Sequence, residues 1–121
     1  MKYLALILTL IIGISSMSRS SSAIGPTTDM LRASCNYDNL PSKHQKIAKT
    51  MCFSYLHGFL DHQKALKQKN MVKIFCLPRG GITLGTARSF FMRMVEANPN
   101  LKNISAGLTL SKVLEQYFPC K

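Results

Sequence analysis

The stretch SKHQKIAKTMCFSYLHGFLDHQKALKQ, residues 42–68, decides the fold class of this chain. Its apolar residues recur at spacings of three and four, which places their side chains on one face of an α-helix. Ser42 belongs to a residue type that caps helix N-termini, so we predict a long amphipathic helix from Ser42 to about Gln68. The residues predicted to form its core face are Ile47, Ala48, Met51, Cys52, Tyr55, Leu56 and Phe59.

A shorter helix is predicted before the long one. Thr27 and Thr28 can each serve as its N-cap, and its pattern ends near Cys35. Turn-forming residues then separate this helix from the long one. These residues are Asn36, Asp38, Asn39 and Pro41.

After the long helix, an apolar run is followed by a turn and a new helix. The run Ile74–Pro78 is too short for a helix and stops at a proline, so we expect it to cross the core as extended chain. Gly80 and Gly81 permit a tight turn, and Thr83 can cap a helix over residues 84–97.

Two C-terminal helices complete the predicted core. On the helix over residues 84–97, Arg88, Arg93 and Glu96 are left for solvent or partner contact. Its apolar face comprises Leu84, Ala87, Phe90, Phe91, Met94 and Val95. A last helix, from Asn103 to Phe118, contributes Ile104, Leu108, Leu110, Val113, Leu114, Tyr117 and Phe118. No strand-like alternation is visible, so the predicted fold is all-α, a small compact bundle of about four helices.

The first 23 residues have the pattern of a secretory signal peptide. Lys2 supplies the positive charge, residues 3–14 are apolar, and Ser21-Ser22-Ala23 provides small residues for cleavage. A membrane span needs roughly 20 apolar residues, and this run is shorter. We therefore expect residues 1–23 to be removed and residues 24–121 to form a single domain, periplasmic or secreted, without stable membrane insertion.

Four cysteines lie in the predicted mature domain, at Cys35, Cys52, Cys76 and Cys120. An even number of cysteines in a small exported domain indicates disulfides, here two of them. The three possible connectivities stay open at this stage. Each bridge is expected to contribute roughly 2 to 4 kcal/mol by constraining the unfolded chain.

The chain is strongly basic, with a formal net charge of +11 and only five acidic residues. Such a balance favours anionic partners, which outside the cytoplasm are lipid headgroups, acidic glycans or an acidic protein face, rather than nucleic acid. A merely solvated surface is the other interpretation. The cations form a lysine group, Lys64, Lys67, Lys69 and Lys73, and an arginine group, Arg79, Arg88 and Arg93.

Few residues suit catalysis or metal binding. His57 and Asp61 are four apart on the long helix, a spacing that could hold a metal or support acid–base chemistry, but no further ligand motif accompanies them. Cys52 and His57 point about 140° apart on a helix, and an oxidised cysteine is no nucleophile. We therefore predict a protein that is not an enzyme, with no catalytic residue, no metal and no cofactor.

The ordered motifs of the mature chain resemble the Rap1a/Tai family of type VI secretion amidase immunity proteins. The likeness covers nearly the whole domain from about Met30 to Cys120. Two features depart from the family pattern: Ser54 stands where a second small glycine is usual, and the charge is strongly positive. The matching motifs are Cys52-x-x-Tyr55-Leu56-x-Gly58, Phe75-Cys76-Leu77-Pro78, Gly81-Ile82-Thr83, Asn98-Pro99 and Phe118-Pro119-Cys120.

The resemblance implies a helical periplasmic protein, often a homodimer, that binds a secreted cell-wall amidase effector and blocks its active-site cleft. No contact residue transfers by motif. On physical grounds, exposed polar loops beside rigid helices are the better binding segments, here residues 77–82 and 98–102. The partner-binding residues we predict within them are Arg79, Gly80, Gly81, Asn98 and Asn100.

Two alternative functions fit the same composition. A basic envelope module would bind glycans or anionic lipids through the lysine group, and salt would abolish that binding. An acid-stress-type periplasmic chaperone would open at low pH and bind unfolded proteins, although only three histidines and five acids could respond to acid.

Overall fold

The computed structural model describes residues 25–69 and 74–121. Within these ranges the chain forms four α-helices, two 3₁₀-helices at Tyr37–Asn39 and Pro99–Leu101, and no strand apart from an isolated bridge between Thr27 and Ser105. The all-α prediction is confirmed. The predicted signal peptide lies outside the described residues. The helices are α1 (Thr28–Cys35), α2 (Ser42–Gln68), α3 (Leu84–Ala97) and α4 (Ala106–Tyr117).

Side-chain caps fix two of the predicted helix starts. The Thr27 hydroxyl accepts a hydrogen bond from the Met30 N–H at 3.3 Å, and the Thr83 hydroxyl accepts one from the Thr86 N–H at 3.0 Å. The predicted cap of α2 is wrong by one position, because Pro41 occupies the N-cap and Ser42 is already helical. A proline N-cap has no side-chain acceptor to offer the first amides.

Helix α4 begins three residues later than predicted, at Ala106. The preceding backbone is used in tertiary hydrogen bonds to the start of α1: the carbonyls of Lys102 and Ile104 accept from the amides of Asp29 and Thr28. The Ala106 N–H, which would donate to the Lys102 carbonyl in a helix that starts at residue 103, instead donates to the carbonyl of Pro26 at 3.0 Å. Leu108 was predicted to be core but is 52% exposed.

The core lies where α1, α3 and α4 meet one face of α2. Of the predicted face of α2, Ala48, Cys52 and Leu56 are buried, whereas Ile47 and Met51 are 63% and 59% exposed. Each exposed residue precedes a buried one, so it is rotated by about 100° away from the core. The central cluster comprises Leu31, Cys35, Cys52, Leu56, Ala87, Phe91, Val95, Ala106 and Leu110.

The two disulfides are Cys35–Cys52 and Cys76–Cys120. They confirm the predicted number and resolve the connectivity. The first joins the end of α1 to the middle of α2, and both of its residues are fully buried. The second joins Cys76 to Cys120, close to the end of the chain, and both residues are exposed. Beside it, the Cys76 N–H donates to the carbonyl of Phe118 at 2.8 Å.

The run before Pro78 forms neither helix nor strand and, contrary to the prediction, it does not cross the core. Phe75 is buried at 9% exposure, whereas Ile74 is 48% exposed and Cys76 is exposed. One side chain therefore anchors this run to the helices. The disulfide to Cys120 holds the run against the C-terminal residues.

Arg88 is not free for a partner, contrary to the prediction. Its Nε donates to the carbonyl of Cys35 at 2.7 Å, and its Nη2 pairs with the Asp38 carboxylate at 2.7 Å. The guanidinium also lies over the Tyr37 ring, 4.2 Å from its centroid. Arg88 therefore joins α3 to the turn that follows α1.

Candidate functional site

A cleft of about 770 Å³ lies between the C-terminal half of α2 and residues 74–84. Helix α2 forms one wall, and the run 74–78 with the turn that follows it forms the other. We call it the α2 cleft. The apolar side chains that line it include Leu60, Phe75, Ile82 and Leu84, and the ionisable ones are His57, Asp61, Lys64, Lys67 and Arg79.

The turn at the edge of the cleft follows from its sequence. The Gly81 N–H donates to the Pro78 carbonyl at 2.9 Å, which closes a four-residue turn. Gly81 has a φ of +73°, a conformation that glycine adopts without steric cost. Arg79 is therefore carried on an exposed turn that a proline and a glycine define.

The structure brings three of the five predicted partner-binding residues to this cleft. Arg79, Gly80 and Gly81 all line it and are all exposed. Their binding role stays a prediction. Lys64 and Lys67 line the same cleft, and the sequence had marked them only as part of a basic group.

Asn98 and Asn100 lie elsewhere. They follow the C-terminus of α3, whereas the Gly80–Gly81 turn precedes its N-terminus, and this 14-residue helix is about 20 Å long. The Asn98 side-chain amide donates to the Met94 carbonyl at 2.9 Å, so it completes the end of α3. Only a partner with a footprint as wide as a protein interface could contact both segments.

The walls of the α2 cleft combine apolar and cationic groups. Leu60, Ile82 and Leu84 are half-buried and pack against the core. Lys64, Lys67 and Arg79 are exposed around them, and Asp61 is the one carboxylate among the lining residues. The cleft therefore presents an apolar lining with a positive rim.

The structure shows where the residues considered for nucleophilic and metal chemistry lie. All four cysteines are disulfide-bonded, so Cys52 is not a thiolate nucleophile. In the part of the chain that the structure describes, no three His, Cys, Asp or Glu side chains come together to hold a metal. His57 and Asp61 both line the cleft without a third ligand of this kind.

A tyrosine connects α2 to α4 beneath the surface. Burial raises the pKa of Tyr55 above its ordinary value of 10.0, and a hydrogen bond with the backbone of Gly107 opposes part of this rise. A Cβ at Gly107 would lie 3.5 Å from the Tyr55 oxygen, an ordinary contact distance. Tyr55 is therefore a neutral packing residue at physiological pH.

A second, shallower depression of about 320 Å³ lies beside α3. Arg88 and Arg93 line it with Asn36 and Glu96. Because Arg88 is already bonded to Cys35 and Asp38, this depression offers fewer free groups than the α2 cleft.

None of the helices within residues 25–69 and 74–121 is long and apolar enough to cross a bilayer.

The fold defines a class: a small helical domain held by two disulfides, with an open cleft beside α2. The sequence model described as Rap1a immunity proteins matches residues 27–120. The chain therefore belongs to the Rap1a immunity protein family, and the resemblance predicted from its motifs is confirmed. No curated protein and no solved structure gives a significant match.

Proposed function

We propose that this immunity protein acts in the periplasm by binding a secreted peptidoglycan amidase and occluding its active site. The observation that carries the proposal is the family match over residues 27–120, which spans all four helices. The family assigns an immunity role and a secreted effector as partner. The amidase activity of that effector and the mode of inhibition are the proposed parts.

Inhibition by occlusion needs a rigid surface rather than reactive groups. A surface that is already ordered loses little conformational entropy on binding, so more of the contact energy appears as affinity. The two disulfides support this mechanism, because they hold α1 to α2 and the wall of the α2 cleft to the C-terminal residues. The exposed turn with Arg79, Gly80 and Gly81 is the proposed contact with the amidase.

The proposed location is the oxidising side of the inner membrane. Disulfides persist in oxidising compartments such as the periplasm, and the pattern of residues 1–23 favours export. We propose that residues 1–23 are removed on export. The domain of residues 24–121 then meets the effector where that effector cuts the cell wall.

A homodimer is part of the same proposal. One face of α2 presents Ile47, Met51, Ser54 and Gly58, all exposed and spaced by four, three and four residues. We call this face the α2 outer stripe. Its spacing is that of a helix-pairing seam, and Gly58 has open space where a Cβ would be, so another helix could approach it closely.

A pull-down from the source cell tests the function. The oxidised protein is used as bait for secreted and envelope proteins at low and at high salt, because salt screens unspecific charge contacts. We expect one cell-wall hydrolase to remain bound at high salt. Adding the immunity protein at a one-to-one ratio should then stop its cleavage of purified peptidoglycan.

Three results would contradict the proposal. Recovery of only glycans, lipids or mixed proteins that salt removes would favour a basic envelope module. A bound hydrolase that keeps its full activity would exclude occlusion of the active site. A hydrolase that cuts glycan strands instead of amide bonds would refute the amidase assignment.

A further inference from the structure

The cations around the α2 cleft form no ion pair with the described residues, and they outnumber the carboxylates there. All five acids lie in the described ranges, and Asp61 is the one that lines the cleft. The ion pairs of the described residues are Arg32–Asp29 and Arg88–Asp38, and neither lies at the cleft. Lys64, Lys67 and Arg79 are thus left as exposed cations.

The apolar lining of the cleft is also open. Ile74 is 48% exposed, and Leu60, Ile82 and Leu84 are only half-buried although they pack against the core. Burying the remaining apolar area would contribute about 25 cal/mol per Å² to the free energy of binding. An occupant that is both apolar and negatively charged can therefore gain binding energy from the lining and from the cations.

The volume limits what the occupant can be. Clefts of roughly 300–1,000 Å³ accept a small molecule or a few side chains, and this cleft has about 770 Å³. A bilayer surface cannot enter a concave site of this size. A short chain segment can place an apolar side chain on the lining while its carboxylates reach the rim.

We propose that the α2 cleft binds a short acidic segment of the partner protein. Its carboxylates pair with Lys64, Lys67 and Arg79, and an aliphatic or aromatic side chain lies against Leu60 and Ile82. This inference rests on the proposed function, and it assigns the cleft as the place where the effector is recognised. Charge complementarity of this kind supplies specificity and speeds association.

The test uses the full chain, produced for export and purified in its oxidised form. The probe is a fluorescent peptide with the sequence Glu-Glu-Leu-Phe-Glu-Glu. One control peptide replaces every Glu by Gln, and another replaces Leu-Phe by Ser-Ser. We expect the probe to bind and both controls to bind at least tenfold more weakly, with amide signals of Leu60 and Ile82 shifting on titration.

Paired variants separate the site from the net charge. K64E/K67E should weaken peptide binding at least tenfold, whereas K43E/K46E, an equal charge change at the other end of α2, should change it less than threefold. All four lysines are exposed, so both variants should fold. Equal weakening by both variants would overturn the inference, because net charge alone would then explain binding.

Two further results distinguish the possible failures. If K64E/K67E still binds and inhibits the effector one-to-one, the cleft is not the recognition site, and the immunity proposal survives. If the wild-type protein binds no effector while it binds the peptide through Lys64 and Lys67, the proposed function fails. Binding to phosphatidylglycerol vesicles through these lysines, with no peptide binding, would replace the inference by a lipid headgroup site.

Discussion

Arg88 connects two parts of the fold through one guanidinium group, and this makes it sensitive to a conservative change. The Asp38 side chain is 65% exposed, so its ion pair with Arg88 contributes little to the stability of the fold. The hydrogen bond from Nε to the carbonyl of buried Cys35 and the stacking on Tyr37 matter more. Both depend on the planar guanidinium.

Arg88→Lys should therefore lower the free energy of unfolding by about 1–3 kcal/mol, because an ammonium cannot make both contacts at once. Urea denaturation measures this loss. Arg93→Lys, an exposed position on the same helix, is the matched control and should change stability by less than about 0.5 kcal/mol. Equal stabilities of the two variants would show that the Arg88 contacts contribute nothing.

A second residue-scale feature is a pair of buried hydroxyls. Thr28 and Thr109 are both fully buried, and their Oγ1 atoms lie 2.7 Å apart. Thr28 Oγ1 donates its one hydrogen to the carbonyl of Ile104 at 2.9 Å. Thr109 must then be the donor in the contact between the two hydroxyls.

This direction makes the two threonines unequal. Thr28→Val removes both hydrogen bonds and leaves the Thr109 hydroxyl without its acceptor, so we expect a loss of about 1–3 kcal/mol. Thr109→Val leaves Thr28 bonded to Ile104 and should cost less. Chemical denaturation of both variants decides the point, and a larger loss for Thr109→Val would refute the assigned direction.

At the scale of the element, α2 has two exposed regions with different chemistry. Its C-terminal half forms a wall of the α2 cleft, and its outer stripe presents Ile47 and Met51. Because apolar side chains this exposed gain from burial, the stripe is the surface expected to join two copies.

Met51→Lys should therefore weaken self-association by roughly tenfold or more, which is about 1.4 kcal/mol of dimer free energy. Sedimentation equilibrium of the oxidised protein measures it. Met30→Lys places the same charge on an equally exposed methionine of α1 and should leave the dimer intact. A wild-type protein that stays monomeric over the whole concentration range would reject the homodimer.

The sequence was sufficient for the elements whose signals are local. Three such features depend only on neighbouring residues, and the structure has them where the sequence predicts. They are the long helix α2, the Thr83 cap of α3 and the turn at Gly80–Gly81. The start of α4 was missed because tertiary hydrogen bonds with residues 26–29 decide it. Periodicity also cannot give the width of a buried face, so Ile47 and Met51 were assigned to the core.

The candidate site was only half predictable for the same reason. Pro78 and Gly81 mark the turn that carries Arg79, and both are visible in the sequence. That Lys64 and Lys67 line the same cleft depends on how α2 packs beside residues 74–84. Disulfide pairing is likewise a tertiary property, which composition restricts to three possibilities but does not choose.

At the scale of the whole molecule, one disulfide lies in the core and the other lies at the surface. Cys35–Cys52 closes 17 residues inside the core, and Cys76–Cys120 closes 44 residues at the surface. Chain entropy assigns them about 3 and about 4 kcal/mol of stabilisation. The surface bridge is also the one that holds a wall of the α2 cleft.

Graded reduction should therefore open the surface bridge first, because a reductant thiolate reaches exposed sulfurs and not fully buried ones. Alkylation followed by mass spectrometry should label Cys76 and Cys120 before Cys35 and Cys52. At that stage the helical circular dichroism should persist, since the core pair is intact, while binding of the acidic peptide falls with the loss of the wall. Simultaneous labelling of all four cysteines, together with loss of helix signal, would mean that core and cleft wall unfold as one unit.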